Sequence, residues 1–333
     1  MGRVTARRLA IARLDARAIA GGRGGEESTQ RRCQLLVAPP HARRLSSPLA
    51  MSASVQVPPH CGCRRYVGRV CLVTASTAGI GLAIAMRFAE EGGKVVVSSR
   101  KQDAVDRAVT LIRGRPQVLP SDVVGVVCQV NDATQRSNLL RVTVTTFGPI
   151  DVLVLNAAVS TYVGLTAATP ARHFDKLFET NVRSAFLFVQ EALPHMRALP
   201  ADQLKRPNQF NPNILFVGSI AGYNPAAPIG IYGVTKTALI GLTKALSTEL
   251  GPSHGIRVNL LAPGVVRTNF ATMLVDSVEG RTPALDLPPK FHSDLGRVGE
   301  PPEMAGVAAF LCSADASYMT GETIVAAGVG ARL

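Results

Sequence analysis

Short apolar runs alternate with amphipathic stretches from about Arg69 almost to the end of the chain. Val70–Thr74, Lys94–Ser99, Val123–Val127, Ile150–Leu155, Ile214–Val217, Ile256–Leu261 and Thr323–Ala326 read as strands, each a run of β-branched or aliphatic residues. Helical spacing fills the intervals: Ile80–Glu91, Gln102–Ile112, Asp132–Phe147, a long helix over Pro170–Met196, Ile231–Leu250 stopped by Gly251-Pro252, and Pro301–Cys312. Strands that are apolar on both faces and separated by helices predict a parallel sheet covered on both sides. Right-handed crossovers then give an α/β, Rossmann-type, doubly wound sheet of seven strands in a single domain.

Composition changes the picture mainly at the amino end. The chain has 333 residues, 47% hydrophobic and 18% charged, which suits one large α/β domain with a sizeable core. Its net charge of +13 first suggests nucleic acid, but residues 1–66 hold twelve arginines against three acids and so carry nine of those charges. The body has no basic stripe interleaved with aromatics, so no nucleic-acid partner is expected. Residues 1–66 also contain Gly21-Gly22-Arg23-Gly24-Gly25 and two Pro-Pro pairs, and read as an extension outside the domain of residues 67–330. Two readings of it stand: a mitochondrial transit peptide, or an unstructured tail ahead of a start at Met51. No apolar run reaches the roughly 18 to 20 residues of a membrane helix, so no membrane span is expected. The six cysteines are scattered without metal-ligand spacing, which predicts no metal site and no disulfide framework.

The chemistry gathers where strands end. Thr74-Ala75-Ser76-Thr77-Ala78-Gly79-Ile80-Gly81 links the first strand to the first helix. Glycines there let the chain turn and approach a pyrophosphate resting on the helix N-terminus. The second strand ends in Ser98-Ser99-Arg100-Lys101, with no acid to hold a ribose 2′-hydroxyl. Ser99, Arg100 and Lys101 suit a 2′-phosphate, so NADP(H) is the expected cofactor; the competing reading is a solvated helix start. Tyr232-Gly-Val-Thr-Lys236 puts a phenol and an ammonium on one helix face. The ammonium is expected to pull the phenol's pKa down from about 10 toward working range. Ser219 follows the fifth strand and Asn156 the fourth, both at the carboxyl edge where parallel sheets keep their sites.

In this order, these residues resemble the short-chain dehydrogenase/reductase family across about Val67 to Gly330. The match covers the cofactor turn (with Ala75 where that family has glycine), Asn156-Ala157-Ala158, Asn181, Ser219, Tyr232, Lys236 and Pro263-Gly264-Val-Val-Arg-Thr268. Leu72–Thr77, Val96–Lys101, Lys236–Leu239, Leu311–Ser313 and Ala316–Thr323 are similar to one branch, the peroxisomal NADP-retinol dehydrogenase/carbonyl reductases, which also has alanine in the turn. That branch has serine where Gly218 stands, and Gly114–Asp122 and Arg197–Pro212 look like insertions at the amino ends of strands. The resemblance implies Tyr232 as proton donor, Lys236 as its electrostatic support, Ser219 as the group orienting the carbonyl, and Asn181 as the holder of a proton-relay water. It implies cofactor contacts at Thr74, Ser76, Thr77, Gly79, Ile80, Gly81, Val130, Asn156, Ala157, Tyr232, Lys236, Pro263, Gly264, Val266 and Thr268, besides Ser99, Arg100 and Lys101. Tyr162, Tyr223, Phe270 and the Ala271–Leu295 stretch would join Ser219 in lining a pocket for a small-molecule carbonyl or alcohol substrate of apolar character. A homotetramer is implied in the same way.

The expected activity is NADPH-dependent reduction of apolar ketones, α-dicarbonyls or retinal, and the reverse oxidation. Reduction of 3-oxoacyl thioesters would use the same residues, and a non-catalytic NADP-binding scaffold is the third reading. The terminal Ala331-Arg332-Leu333 has the small-basic-Leu pattern of a peroxisomal address, against which the Arg-rich start points to mitochondria, with the cytoplasm as a further alternative.

Overall fold

The computed structural model describes residues 63–200, 203, 206, 208–225, 227–272 and 293–328. The N-terminal extension up to residue 62, most of the Ala271–Leu295 stretch and the terminal tripeptide lie outside the described residues. Seven parallel strands form one sheet: β1 (Val70–Val73), β2 (Lys94–Ser99), β3 (Val123–Val127), β4 (Val152–Leu155), β5 (Asn213–Val217), β6 (Arg257–Pro263) and β7 (Thr323–Ala326). Their spatial order is β3-β2-β1-β4-β5-β6-β7, so the direction of winding reverses between β1 and β4. That reversal opens a crevice at the carboxyl ends of these two strands, the place where such sheets bind ligands.

Period-two geometry divides the strand residues between two cores. Cys71, Val73, Val95, Val97, Val152, Val154 and Leu215 enter one, beneath α1 (Gly79–Glu90), α2 (Gln102–Arg113) and α7 (Pro301–Leu311). Leu72, Val96, Leu153, Ile214, Phe216 and Leu260 enter the other, beneath α3 (Ala133–Phe147), α5 (Ser184–Ala192) and α6 (Gly230–His254). Among the described residues no helix is long and apolar enough to cross a membrane.

Two helices depart from the sequence expectation. The long helix predicted over Pro170–Met196 is α4 (Ala171–Phe178), a π-turn at Glu179–Arg183, α5 and a 3-10 turn at Leu193–His195. The π-turn sits where the buried side chain of Asn181 is drawn to partners outside the helix, an arrangement that accommodates one extra residue. Gly251-Pro252 does not stop α6; the helix runs on to His254. There Gly255, at φ 65°, turns the chain, and the amides of Gly255 and Ile256 close on the carbonyls of Gly251 and Leu250.

The folded body also starts earlier than residue 67. Tyr66 is 0% exposed, packs on Phe88 and donates its hydroxyl to the Ala309 carbonyl at 2.6 Å. Arg65 makes two bonds to the buried Glu91 carboxylate, at 2.6 and 2.7 Å. Both suspected insertions join a helix to the amino end of a strand, as expected. The second begins with Arg197, which grips the buried Asp151 at 2.6 and 3.0 Å.

Candidate active site

Loops from the carboxyl ends of β1, β4, β5 and β6 meet around the crevice, and each contact depends on a particular residue type. Thr74 joins β1 to β4: its hydroxyl donates to Val154 O and accepts from the amides of Asn156 and Ala157. Asn156 turns its amide nitrogen onto the carbonyls of Thr74 and Ala75 at 3.2 and 3.0 Å, and so braces the turn from within. A Cβ at Gly81 would strike this Asn156 side chain, and one at Gly79 would lie 3.0 Å from Thr268 Cγ2. The glycine turn is therefore closed tightly against the segments following β4 and β6.

The residues fit a dinucleotide phosphate. α1 opens at an extended Ala78 with no side-chain cap and no acid in its first turn, so its positive end faces the crevice without a resident anion. Gly79, at φ 54°, lets the backbone turn onto that end. Ala75 stands at φ 50°, in the left-handed region that costs an L-residue about 1 kcal/mol. Ala75→Gly is accordingly expected to leave stability unchanged or raise it by up to about 1 kcal/mol, where the same change at an ordinary site is destabilising; urea unfolding measures the difference.

Ser99, partly buried, ends β2, with Arg100 and Lys101 exposed beside it. The first acid of α2, Asp103, is paired with Arg107 at 2.9 Å. Two residues expected at the cofactor have their groups engaged elsewhere. The enclosed Ser76 hydroxyl donates to Val73 O at 2.6 Å and accepts from Ser98 N, and so ties β1 to β2. The Val130 side chain lies in the core and its carbonyl accepts from Arg136. Thr77 and Ile80 are partly buried in the turn; Val266 is buried below Thr268, and Pro263 ends β6 beside Gly264, whose amide donates to Ala326 O.

Ser219, Tyr232 and Lys236 lie together at this edge. Ser219 heads the 3-10 turn after β5, where its Oγ accepts from Ala221 N at 3.1 Å; its hydroxyl acts on the Tyr232 phenol to hold the pKa down. Tyr232, in the first turn of α6, is 7% exposed. Lys236, one turn later and 2% exposed, holds its Nζ 5.6 Å from the Tyr232 ring centroid and donates to Val217 O at 2.9 Å. A Cβ at Gly222 would come 2.9 Å from the Lys236 backbone, and Thr237 Oγ1 donates to Gly222 O. These two residues set the spacing between serine and tyrosine; sequence reading missed them because only the close approach of two elements reveals them.

The electrostatics correct one expectation. The Tyr232 phenol is raised above its ordinary pKa by burial, with the Ser219 hydroxyl opposing, rather than lowered by the ammonium. Burial brings Lys236 down to about 8, and its Nζ is directed to the Val217 carbonyl. At neutral pH Tyr232 is thus a neutral acid, ready to donate a proton.

Asn181 is fully engaged through its side chain. Oδ1 accepts from Val159 N at 2.8 Å, and Nδ2 donates to Val159 O at 2.9 Å and to Thr235 Oγ1 at 3.1 Å. Of the three aromatic residues expected at the substrate, Phe270 lies beside the phenol, ring centroids 5.8 Å apart. Tyr162 packs within its own loop, near His173 and with its hydroxyl toward Ala168 O, and Tyr223 packs partly buried on the core just past the Ser219 turn. Gly218, the departure beside Ser219, has a cause: a Cβ there would lie 2.5 Å from Leu260 Cδ2.

Known proteins are similar to this chain over most of its length. The family model described as enoyl-(acyl carrier protein) reductase matches residues 74–328. Tropinone reductase-like 3 of Erythroxylum coca is 45% identical, covering 80% of this chain and 94% of that protein. Dehydrogenase/reductase SDR family member 4 of Bos taurus is 44% identical, covering 78% and 86%. The crystal structure of a short-chain dehydrogenase/reductase, a glucose/ribitol dehydrogenase from Brucella melitensis, superposes with a TM-score of 0.68 at 26% identity, over 81% of this chain and 99% of that one. With its seven-stranded parallel sheet and its serine, tyrosine and lysine at one edge, this chain belongs to the short-chain dehydrogenase/reductase family of oxidoreductases, which work with nicotinamide cofactors.

Proposed function

We propose that the protein reduces small apolar carbonyl compounds with NADPH and, in reverse, oxidises the corresponding alcohols. The observation that carries this reading is the buried phenol of Tyr232, one turn from Lys236 on α6 and influenced by the Ser219 hydroxyl. The dinucleotide, when bound, supplies the hydride. Ser219 would orient the substrate oxygen, and Tyr232 would give its proton to that oxygen as negative charge develops there. Lys236 would supply positive charge beside the phenol. Asn156, Gly79 and Gly81 would shape the phosphate turn, while Pro263, Gly264 and Thr268 would seat the reactive end of the cofactor. Phe270 would give the substrate an aromatic wall, which favours aromatic ketones, α-dicarbonyls or retinal over sugars.

NADP(H) rather than NAD(H) is supported by Ser99, Arg100 and Lys101 and by the pairing of Asp103 with Arg107. An NADPH-oxidation screen over a carbonyl panel, repeated with NADH, tests both substrate class and cofactor. Arg100→Ala is expected to raise KM for NADPH about 10-fold or more while changing that for NADH less than about 2-fold, since one charge-assisted bond to the 2′-phosphate is worth about 1.5–3 kcal/mol. Equal effects on the two cofactors would refute the assignment. The matching family model's description favours a second substrate class, acyl thioesters; competition between diketones and a 3-oxoacyl-CoA separates the two.

A homotetramer is part of the same reading. Phe178, Val182, Phe186 and Leu242 line an open apolar groove of about 620 Å³ between α4–α5 and α6, a face that a second copy would cover. Peroxisomal location rests on Ala331-Arg332-Leu333 and mitochondrial location on the Arg-rich start. Fluorescent fusions with and without the last three residues distinguish them.

A further inference from the structure

A threonine hydroxyl often donates to a carbonyl one turn back in its own helix, as Thr143 and Thr243 do to Leu139 and Leu239. Thr235 makes such a bond to Tyr232 O, at 2.6 Å, but it also accepts the Asn181 amide at 3.1 Å. Thr235 is 0% exposed, so neither bond exchanges with water. Asn181 in turn holds both the N–H and the C=O of Val159, three residues past Asn156. One unbroken path of hydrogen bonds therefore runs from the loop after β4, through the π-turn, to the main chain of the residue that carries the phenol. The path joins the loop after β4, the π-turn and α6, and Thr235 is the link between the last two.

We propose that Thr235 is a positioning residue: its hydroxyl registers the first turn of α6 against the loop after β4 and so fixes where the Tyr232 phenol stands relative to Ser219. The proposal rests on the reductase reading above. The mechanical reason is that α6 meets the sheet edge through its first turn, where a helix frays most readily, and the Thr235 bond attaches that turn to a separate part of the fold. A displacement of about 1 Å at a reacting group can lower a rate by about 10²-fold.

The test compares Thr235→Val, which keeps the shape and removes the hydroxyl, with Thr235→Ser, which keeps the hydroxyl. Four quantities are measured on the full chain: kcat and KM for NADPH-dependent carbonyl reduction, NADPH affinity by fluorescence, and amide exchange of the peptide containing Val159. Thr235→Val is expected to lower kcat about 10- to 100-fold. KM and NADPH affinity are expected to change less than about 3-fold, because the cofactor contacts lie elsewhere. Exchange at Val159 is expected to rise, and Thr235→Ser to recover most of kcat and the slow exchange. Should the valine variant fail to fold, Thr235→Ala takes its place. Unchanged kcat in the valine variant, or a serine variant as impaired as the valine one, overturns the proposal. A wild-type protein that reduces no carbonyl with NADPH refutes the reductase reading instead; Val159 exchange then decides alone whether Thr235 ties the two elements together.

Discussion

Tyr232→Phe is expected to lower kcat for carbonyl reduction by about 10²- to 10⁴-fold while leaving NADPH affinity within about 3-fold. The ring is buried against Phe270, and phenylalanine fills the same space, so the fold and the cofactor turn stay as they are. What goes is the hydroxyl that holds the proton. In free-energy terms the loss is about 3–5 kcal/mol of transition-state stabilisation. The pH dependence separates the two directions of the reaction. Because burial holds the phenol above its ordinary range, Tyr232 stays protonated throughout neutral pH, and reduction should show no loss on the acid side from this group. Lys236, brought down to about 8, loses its charge above that pH, so the reduction rate should decline there. Alcohol oxidation needs the phenol already deprotonated and should climb as pH rises. Pre-steady-state NADPH oxidation with a carbonyl, and NADP+ reduction with the corresponding alcohol, by wild type and Tyr232→Phe across pH 6–10 check the two trends; a variant as fast as wild type in carbonyl reduction would sink the proton-donor role.

A chain cut to begin at Val67 is expected to lose about 4–6 kcal/mol of stability relative to one cut to begin at Cys63. The four residues between them include Tyr66, whose ring packs on Phe88 and Phe210 with centroids at 4.6 and 6.0 Å, and whose hydroxyl and amide bond Ala309 O and Glu91 O. Removing an aromatic side chain of this kind costs about 3–5 kcal/mol. The cut also removes Arg65 and leaves the buried Glu91 carboxylate to Arg87. Burial pushes the Glu91 pKa up, but its hydrogen bonds to Arg65 and Arg87 outweigh that and hold it low, so loss of one arginine exposes the desolvation penalty. Domains of this kind have about 5–15 kcal/mol in all, so the shorter chain should unfold at a much lower urea concentration. Identical urea midpoints would refute the placement of the boundary.

The sheet was legible because its strands are runs of β-branched residues set off by turn residues; β2, β3 and β7 lie where the pattern puts them. The serine, tyrosine and lysine were legible because helix spacing and strand ends place them at one edge. The break between α4 and α5 was not, since it depends on bonds from Asn181 to Val159, 22 residues away, and to Thr235, 54 away. The sign of the phenol shift was hidden for a related reason. A spacing of four residues shows that two groups share a helix face, but not that Lys236 turns its Nζ toward Val217 O. Tyr66 was assigned to the extension because the basic, proline-rich segment before it masks a single anchoring aromatic.

Position 218 is tied to a residue 42 places downstream. Leu260, on the neighbouring strand, already fills the volume that a side chain at Gly218 would need. Residues 218 and 260 should therefore drift through evolution as a couple, a bulkier partner at one tolerated only with a slimmer partner at the other. An engineer who installs serine beside Ser219 would have to shift or trim the Leu260 side chain as well.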